Sequence, residues 1–304
     1  MGEFFARDQP HTFIQPEKRF LKMVTRRDVA SIVGLGAMAA ATLASPAVAQ
    51  TAADPNESTF ARIRRTKKMR IGAVGGGAPY YMKDLASGQW KGFYIDIAKG
   101  LADDMEAELE ITETTWGNSV LDLQSNKIDI FFGLNPTPKR ALVVDFSVPV
   151  FNNAFGILCK KDFKPKSWAE LNSPDVKIAV DQGSSHDQVV SRLTPKAQIS
   201  RLKTADDATA ALQTGRVDAQ CLITMLSLTV LKKNPSLGQF VLPTPIFATT
   251  SNAGFRREND KTFRDYVNTW IDFNKGLGFI RNAIITNMEL VGVTEADIPP
   301  GVSL

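Results

Sequence analysis

Histidine and cysteine are nearly missing from this chain. Its 304 residues include two histidines, His11 and His186, and two cysteines, Cys159 and Cys221. None of these is spaced as a zinc site and no cysteine lies near a histidine, which excludes a metal centre or a Cys–His nucleophile of the usual kind. Both cysteines sit in apolar stretches, Gly156-Ile-Leu-Cys159 and Ala219-Gln-Cys-Leu-Ile223. They read as buried free thiols, and sequence cannot place the two sulfurs together for a bridge. Charge of one sign is also lacking: 36 Lys and Arg stand against 32 Asp and Glu. With no basic run interleaved with aromatics, nucleic acid is not an expected partner. Gly75-Gly76-Gly77 follows a strand but lacks both a Lys-Ser/Thr pair and a G-x-G-x-x-G helix start. A nucleotide site is therefore not expected either, and no cofactor is.

The amino-terminal part has the shape of an export signal. Arg26-Arg27-Asp28 precedes a weakly apolar run, Val29–Ala44, and Ala47-Val48-Ala49 offers a small-x-small cleavage site before Gln50. The alternative is an uncleaved membrane anchor, against which the abundance of Ala and Gly in the run argues. The paired arginines resemble a twin-arginine leader, although Asp28-Val29-Ala30 replaces the favoured Phe-Leu-Lys, and the general secretory route stays open. Met23 stands just before this leader, so residues 1–22 read as an over-long start. The sequence thus divides into a signal over residues 1–49, a flexible lead-in over 50–66, and an exported mature domain.

The mature domain alternates strand and helix patterns. Met69–Val74, Ile111–Thr115 and Ile128–Phe132 read as strands, and Ile95–Met105 and Asn118–Asn126 as helices. A second alternating unit follows the strand Phe155–Cys159 and a charged connector, Lys160–Pro174. It holds strand Lys177–Val180, helix His186–Leu193, helix Asp206–Thr214 capped by Thr204, and strand Val217–Ile223. Near the end, Phe263, Val267, Trp270 and Ile271 share one helical face. The expectation is an α/β fold of two lobes with mostly parallel sheets, residues 67–155 and 251–304 forming lobe 1 and 156–250 lobe 2. The expected hinges are Asn152–Phe155 and Thr250–Gly254.

Ligands in such sheets bind at the carboxyl ends of strands. Gly133–Pro138 reads as a turn at one such end, with Thr137 as helix N-cap and Pro138 as first helical residue. Arg140 then falls in the first helical turn, where the dipole disfavours a cation, which suggests that it meets an anion. Gly183-Ser184-Ser185 reads as a turn into a second helix N-terminus. A small carboxylate between Arg140 and Ser184-Ser185 would satisfy both, while plain helix capping accounts for Ser185 equally well. His186 reads as an exposed residue of the first helical turn.

An ordered set of segments carries a resemblance. It comprises Met69–Val74, Ala78-Pro79-Tyr80, Gly92-Phe-Tyr-Ile-Asp-Ile-Ala98, Asn126-Lys-Ile-Asp129, Thr137-Pro-Lys-Arg140, Asp145-Phe-Ser-Val-Pro149, Gln182-Gly-Ser-Ser185 and Gly215-Arg-Val-Asp-Ala219. In this set, over roughly residues 69–290, the chain resembles a family 3 solute-binding protein, the polar amino-acid type that serves ABC importers. The resemblance implies a type II periplasmic binding fold and a monomeric receptor that closes over an amino acid or small carboxylate and delivers it to a membrane permease. It implies that Arg140 clamps the ligand carboxylate, that Gly133 and Asn135 contact it, and that Ser184 and Ser185 close on it from the other lobe. Tyr80, Tyr81 and Trp116 would line the side-chain pocket, and Gly92, Phe93 and Asp129 would be structural.

One departure bears on the ligand. Amino-acid binders of this family carry an acid about five residues past the Asp of G-R-x-D-A, whereas here Ala219–Met225 contains none. Thr224 could accept one hydrogen bond but cannot neutralise an ammonium, whose unpaired burial costs several kcal/mol. Tyr94 also stands where many relatives carry Asp. Either the ligand lacks an α-amine, or its cation is met by aromatic faces or by a carboxylate elsewhere, such as Asp84. The rival functions are a dehydratase acting on cyclic acids on the same scaffold, for which the strand after Asp218 offers no general acid, and a ligand-sensing module for a membrane kinase.

Overall fold

The computed structural model describes residues 57–300. The expected leader, its cleavage site near Ala49 and the start of the lead-in lie outside the described residues. Chain order in the first half is α1 (Thr59–Thr66), β1 (Lys68–Val74), β2 (Met82–Lys83), β3 (Trp90–Lys91), α2 (Phe93–Asp104), β4 (Glu108–Thr114), α3 (Ser119–Gln124), β5 (Ile130–Leu134), α4 (Pro138–Ala141) and β6 (Val144–Phe146). β7 (Phe151–Cys159) crosses into the second half, which holds α5 (Trp168–Leu171), β8 (Lys177–Asp181), α6 (Ser185–Leu193), β9 (Gln198–Leu202), α7 (Ala205–Gln213), β10 (Ala219–Ile223), α8 (Thr224–Lys233) and β11 (Gln239–Val241). β12 (Ala248–Arg256) returns to the first half, completed by α9 (Thr262–Gly276) and α10 (Phe279–Leu290).

The large sheet runs β4-β1-β5-β12-β7-β10-β8-β9. β4, β1 and β5 are parallel at one end, as are β10, β8 and β9 at the other. Between them β7 and β12 run antiparallel, Phe151 opposite Ser251 and Ala154 opposite Ala248. Past that crossing, β12 pairs with β5 and β6 while β7 pairs with β10 and β11, so each strand belongs to both halves. β12 changes partners between Ser251 and Asn252, and a register shift at Asn252/Ala253 follows. These two strands join the two halves.

β5 is buried at every residue, as expected of a strand covered on both faces. The expected face of α9 is found, with Phe263, Val267, Trp270 and Ile271 all buried. Cys159 and Cys221 are buried free thiols. Their neighbouring strands pair Cys221 with Ile157 rather than with Cys159, and burial pushes the Cys159 thiol up to about 12.

The lead-in is a correction. Residues 59–66 form a capped helix, with the Ser58 side chain accepting from the Ala61 amide and Thr59 and Ile63 buried. Arg62 reaches Asp129, whose carboxylate is fully buried and also takes the Arg70 guanidinium at 2.5 Å and the Arg70 amide at 2.7 Å. A polar, mixed stretch is thus ordered by a charge partner 67 residues away. Asp129 is structural, as expected.

Candidate functional site

The site lies where β5 and β8 end. Gly133 takes φ +84°, and a Cβ there would come within 2.8 Å of the Tyr94 ring and 3.2 Å of Trp116. Only glycine allows both this backbone and this closeness. The strand runs two residues into the expected turn, to Leu134, and delivers Asn135. Thr137 caps α4 as expected, its hydroxyl accepting from the Arg140 amide, with Pro138 first in the helix. α4 ends after one turn, and Arg140 is only 6% exposed. Its Nη1 donates to the Asn135 carbonyl at 3.0 Å and its Nη2 to the Gly183 carbonyl at 3.1 Å. The guanidinium therefore spans from one half to the other. Burial lowers it to about 10, partly offset by the charge of Asp181, so it remains a cation near neutral pH.

From the second half, Ser184 caps α6 by accepting from the Asp187 amide at 3.1 Å. The cap is thus Ser184 and not Ser185. That frees the Ser185 hydroxyl to donate to Asn135 Oδ1 across the halves at 3.0 Å, while Asn135 Nδ2 donates to the Thr250 carbonyl of β12. Asn135 thereby ties β5, β12 and α6 together. Gly117 lies so close to this turn that a Cβ on it would sit 2.7 Å from the Gln182 carbonyl oxygen.

Tyr80, Trp116, Gly133, Asn135, Arg140, Ser184 and Ser185 line one space, together with His186, Ile223 and Leu226. Its volume, about 10 Å3, is room for a single water. Tyr80 donates its hydroxyl to Asn153 Oδ1 at 2.9 Å, and its ring meets Trp116 edge-on at 6.4 Å.

Two expected members lie elsewhere. Tyr81 is fully buried in the core beneath, donating to the Phe132 carbonyl at 2.8 Å. The sequence places adjacent aromatics on the same turn, and only packing separates the one that faces the site from the one that does not. Tyr81→Phe is expected to cost about 1 kcal/mol of stability for the lost hydrogen bond and to leave ligand affinity unchanged, as denaturation and calorimetry would show. Thr224 turns its hydroxyl to the Ala154 carbonyl at 3.1 Å and lines a separate crevice with Asn152, Asn153 and Met225. Asp84 is far from this role, since its carboxylate accepts from the Ala86 and Ser87 amides of an exposed turn. Tyr94 is core, fully buried with its hydroxyl on Ser251.

His186 overturns its reading as exposed. It is 4% exposed, its ring edge-on to Phe155, with Nδ1 3.0 Å from Asp181 Oδ1. Burial works against the Asp181 charge, but its pairing with His186 and hydrogen bonds from Ser184 and the backbone outweigh it and hold the carboxyl below its usual range. The sequence signal was an acid at the end of a strand five residues before a histidine in the first helical turn. Among the described residues no cluster of three or more His, Cys, Asp or Glu could hold a metal.

The model of the bacterial extracellular solute-binding proteins, family 3, matches residues 69–278. The chain belongs to this family. Similar proteins include the ABC transporter arginine-binding protein 1 of Escherichia coli strain K12, 29% identical over 154 residues, half of this chain and 62% of that one. Another is the cyclohexadienyl dehydratase of Pseudomonas aeruginosa, 25% identical over 239 residues, 77% of this chain and 87% of that one. Among solved structures, an ancestral amino acid-binding protein described as a precursor of cyclohexadienyl dehydratase superposes with a TM-score of 0.68 at 31% identity, covering 74% of this chain and 97% of its own. The family is mainly one of non-enzymatic solute-binding proteins. No helix among the described residues is long and apolar enough to cross a membrane.

Proposed function

We propose that this protein is the periplasmic receptor of an ABC-type uptake system for an amino acid or related small carboxylate. It is exported with its leader cut near Ala49, works as a monomer and hands its ligand to an inner-membrane permease. The observation that carries this reading is Arg140, a buried cation at the carboxyl end of β5 whose two arms reach carbonyls of opposite halves. A forked guanidinium suits a carboxylate better than it suits two separate carbonyls. The ligand carboxylate enters by taking over the place of the Gly183 carbonyl, which requires the halves to part. The motion falls to Asn152–Phe155 and Thr250–Gly254, where β7 and β12 cross and β12 shifts register. A closed form of this kind presents both halves to the permease at once.

A thermal-shift screen of the full chain tests this reading. It compares amino acids, their amine-free acids and quaternary amines. A ligand of the folded state at 100 times its Kd adds about 2.7 kcal/mol of stability and raises the midpoint. The expected result is a rise with at least one carboxylate ligand, and no rise with any of them would defeat the reading.

A second reading has one observation behind it: His186, which lines the same space, is buried against Asp181 and could move a proton. Mass spectrometry of cyclic carboxylic acids incubated with the protein is expected to show binding without product. Turnover that is lost in His186→Gln would favour the enzyme.

A further inference from the structure

His186 Nε2 and Asp181 Oδ2 are buried atoms without a hydrogen-bond partner. A pair kept only for packing would satisfy both, because orphaned polar atoms in a dry interior are costly. His186 lines the space that holds Arg140. An imidazole whose Nδ1–H donates to Asp181 presents Nε2 as an acceptor. The positive end of α6 and the Arg140 guanidinium face the same region, so an accepting nitrogen suits it better than a further cation. The site then carries one positive charge, Arg140, and one negative charge, Asp181, which together complement a zwitterion. Two anionic groups on the ligand would leave Asp181 uncompensated. The acid missing after Asp218 is thus replaced from the neighbouring strand, β8, by a carboxylate acting through a ring.

We infer that His186, backed by the Asp181 carboxylate, receives the cationic nitrogen of the ligand through an N–H···Nε2 hydrogen bond while the ligand carboxylate meets Arg140. The ligand class is a zwitterion with an N–H-bearing ammonium, which excludes amine-free acids and quaternary betaines. This rests on the receptor reading above, and the test separates the two.

Calorimetric titration of the full chain would use the common L-amino acids, each beside its amine-free acid and its trimethylammonium betaine, on wild type and on Asp181→Asn, His186→Gln and Arg140→Ala. In wild type the best amino acid is expected to bind at least about 30-fold tighter than either analogue, the loss typical of an unpaired buried charge. Asp181→Asn is expected to remove most of that preference while changing affinity for the amine-free acid by less than about threefold, whereas Arg140→Ala weakens both classes. In wild type labelled with 15N-histidine, the Nε2 resonance absent from His186→Gln is expected to move with the amino acid and to stay with the amine-free acid. This measurement decides the matter where a variant does not fold. Equal binding of amine-free acids, an equal loss of both classes in Asp181→Asn, or an unmoved Nε2 resonance overturns the His186 role and leaves the receptor standing. Binding of neither class by wild type overturns both.

Discussion

Arg140→Ala is expected to weaken binding of every carboxylate ligand by at least about 100-fold, the scale of losing one partner of a desolvated, hydrogen-bonded charge pair. The side chain is 6% exposed and both its arms are engaged, so the guanidinium is already in place before a carboxylate arrives. Little ordering entropy remains to be lost on binding, which makes the interaction strong. Arg140→Lys is expected to recover little of the loss. An ammonium is a point donor that cannot hold both oxygens of a carboxylate while sitting against the Asn135 carbonyl. Calorimetry with the strongest ligand from the screen measures both variants. A loss below about fivefold in Arg140→Ala would remove the clamp from the mechanism, since even an exposed ion pair can contribute that much. The ligand-free variant loses its link to Gly183, so the halves should part more readily, which small-angle scattering would register as a larger radius.

The legibility of this site in the sequence followed the range of the interactions involved. Thr137, Pro138 and Arg140 were readable because a cap, a first-turn proline and a misplaced cation act within four residues of one another. Gly133 lines the space with Arg140, but the reason for a glycine there is not readable from the sequence. Its positive φ matters because Tyr94 and Trp116, distant in sequence, close on it. Ser184 and Ser185 were both found with their roles unresolved, since either could cap and only the position of Asn135 shows which one is free. His186 was misjudged for a related reason. Its helix position suggested exposure, but burial there is set by Phe155 on β7 and by Asp181 on β8. Thr224 is suggested by its family position, but its hydroxyl donates to the Ala154 carbonyl. The fold itself was readable at the level of strand and helix order. The crossing of β7 and β12 was anticipated only as hinge segments, because a strand that serves two sheets has no local signature.

Asp129→Ala is expected to destabilise the protein by about 3–5 kcal/mol, the usual result of removing one partner from a buried charge cluster. The Asp129 carboxylate is fully buried, while the Arg62 and Arg70 side chains it serves are 17% and 23% exposed. Without it the two cations face each other, and the Arg70 amide loses its acceptor. Burial already lowers Arg62, and the Asp129 charge is the strongest influence raising it. For a domain of this size the loss corresponds to a fall in melting midpoint of about 10 °C. Arg62 sits on α1, so the helix should be released first, and hydrogen exchange at Ile63 and the following amides should rise more than elsewhere. Affinity for ligand should be unchanged at a temperature where the variant is folded, because the cluster lies at the opposite, amino-terminal end of β5 from Gly133 and Asn135. That separation makes the variant a control for Arg140→Ala. A fall in midpoint below about 2 °C, or exchange that rises uniformly, would mean that α1 is held by the apolar contact of Ile63 and not by the ion cluster.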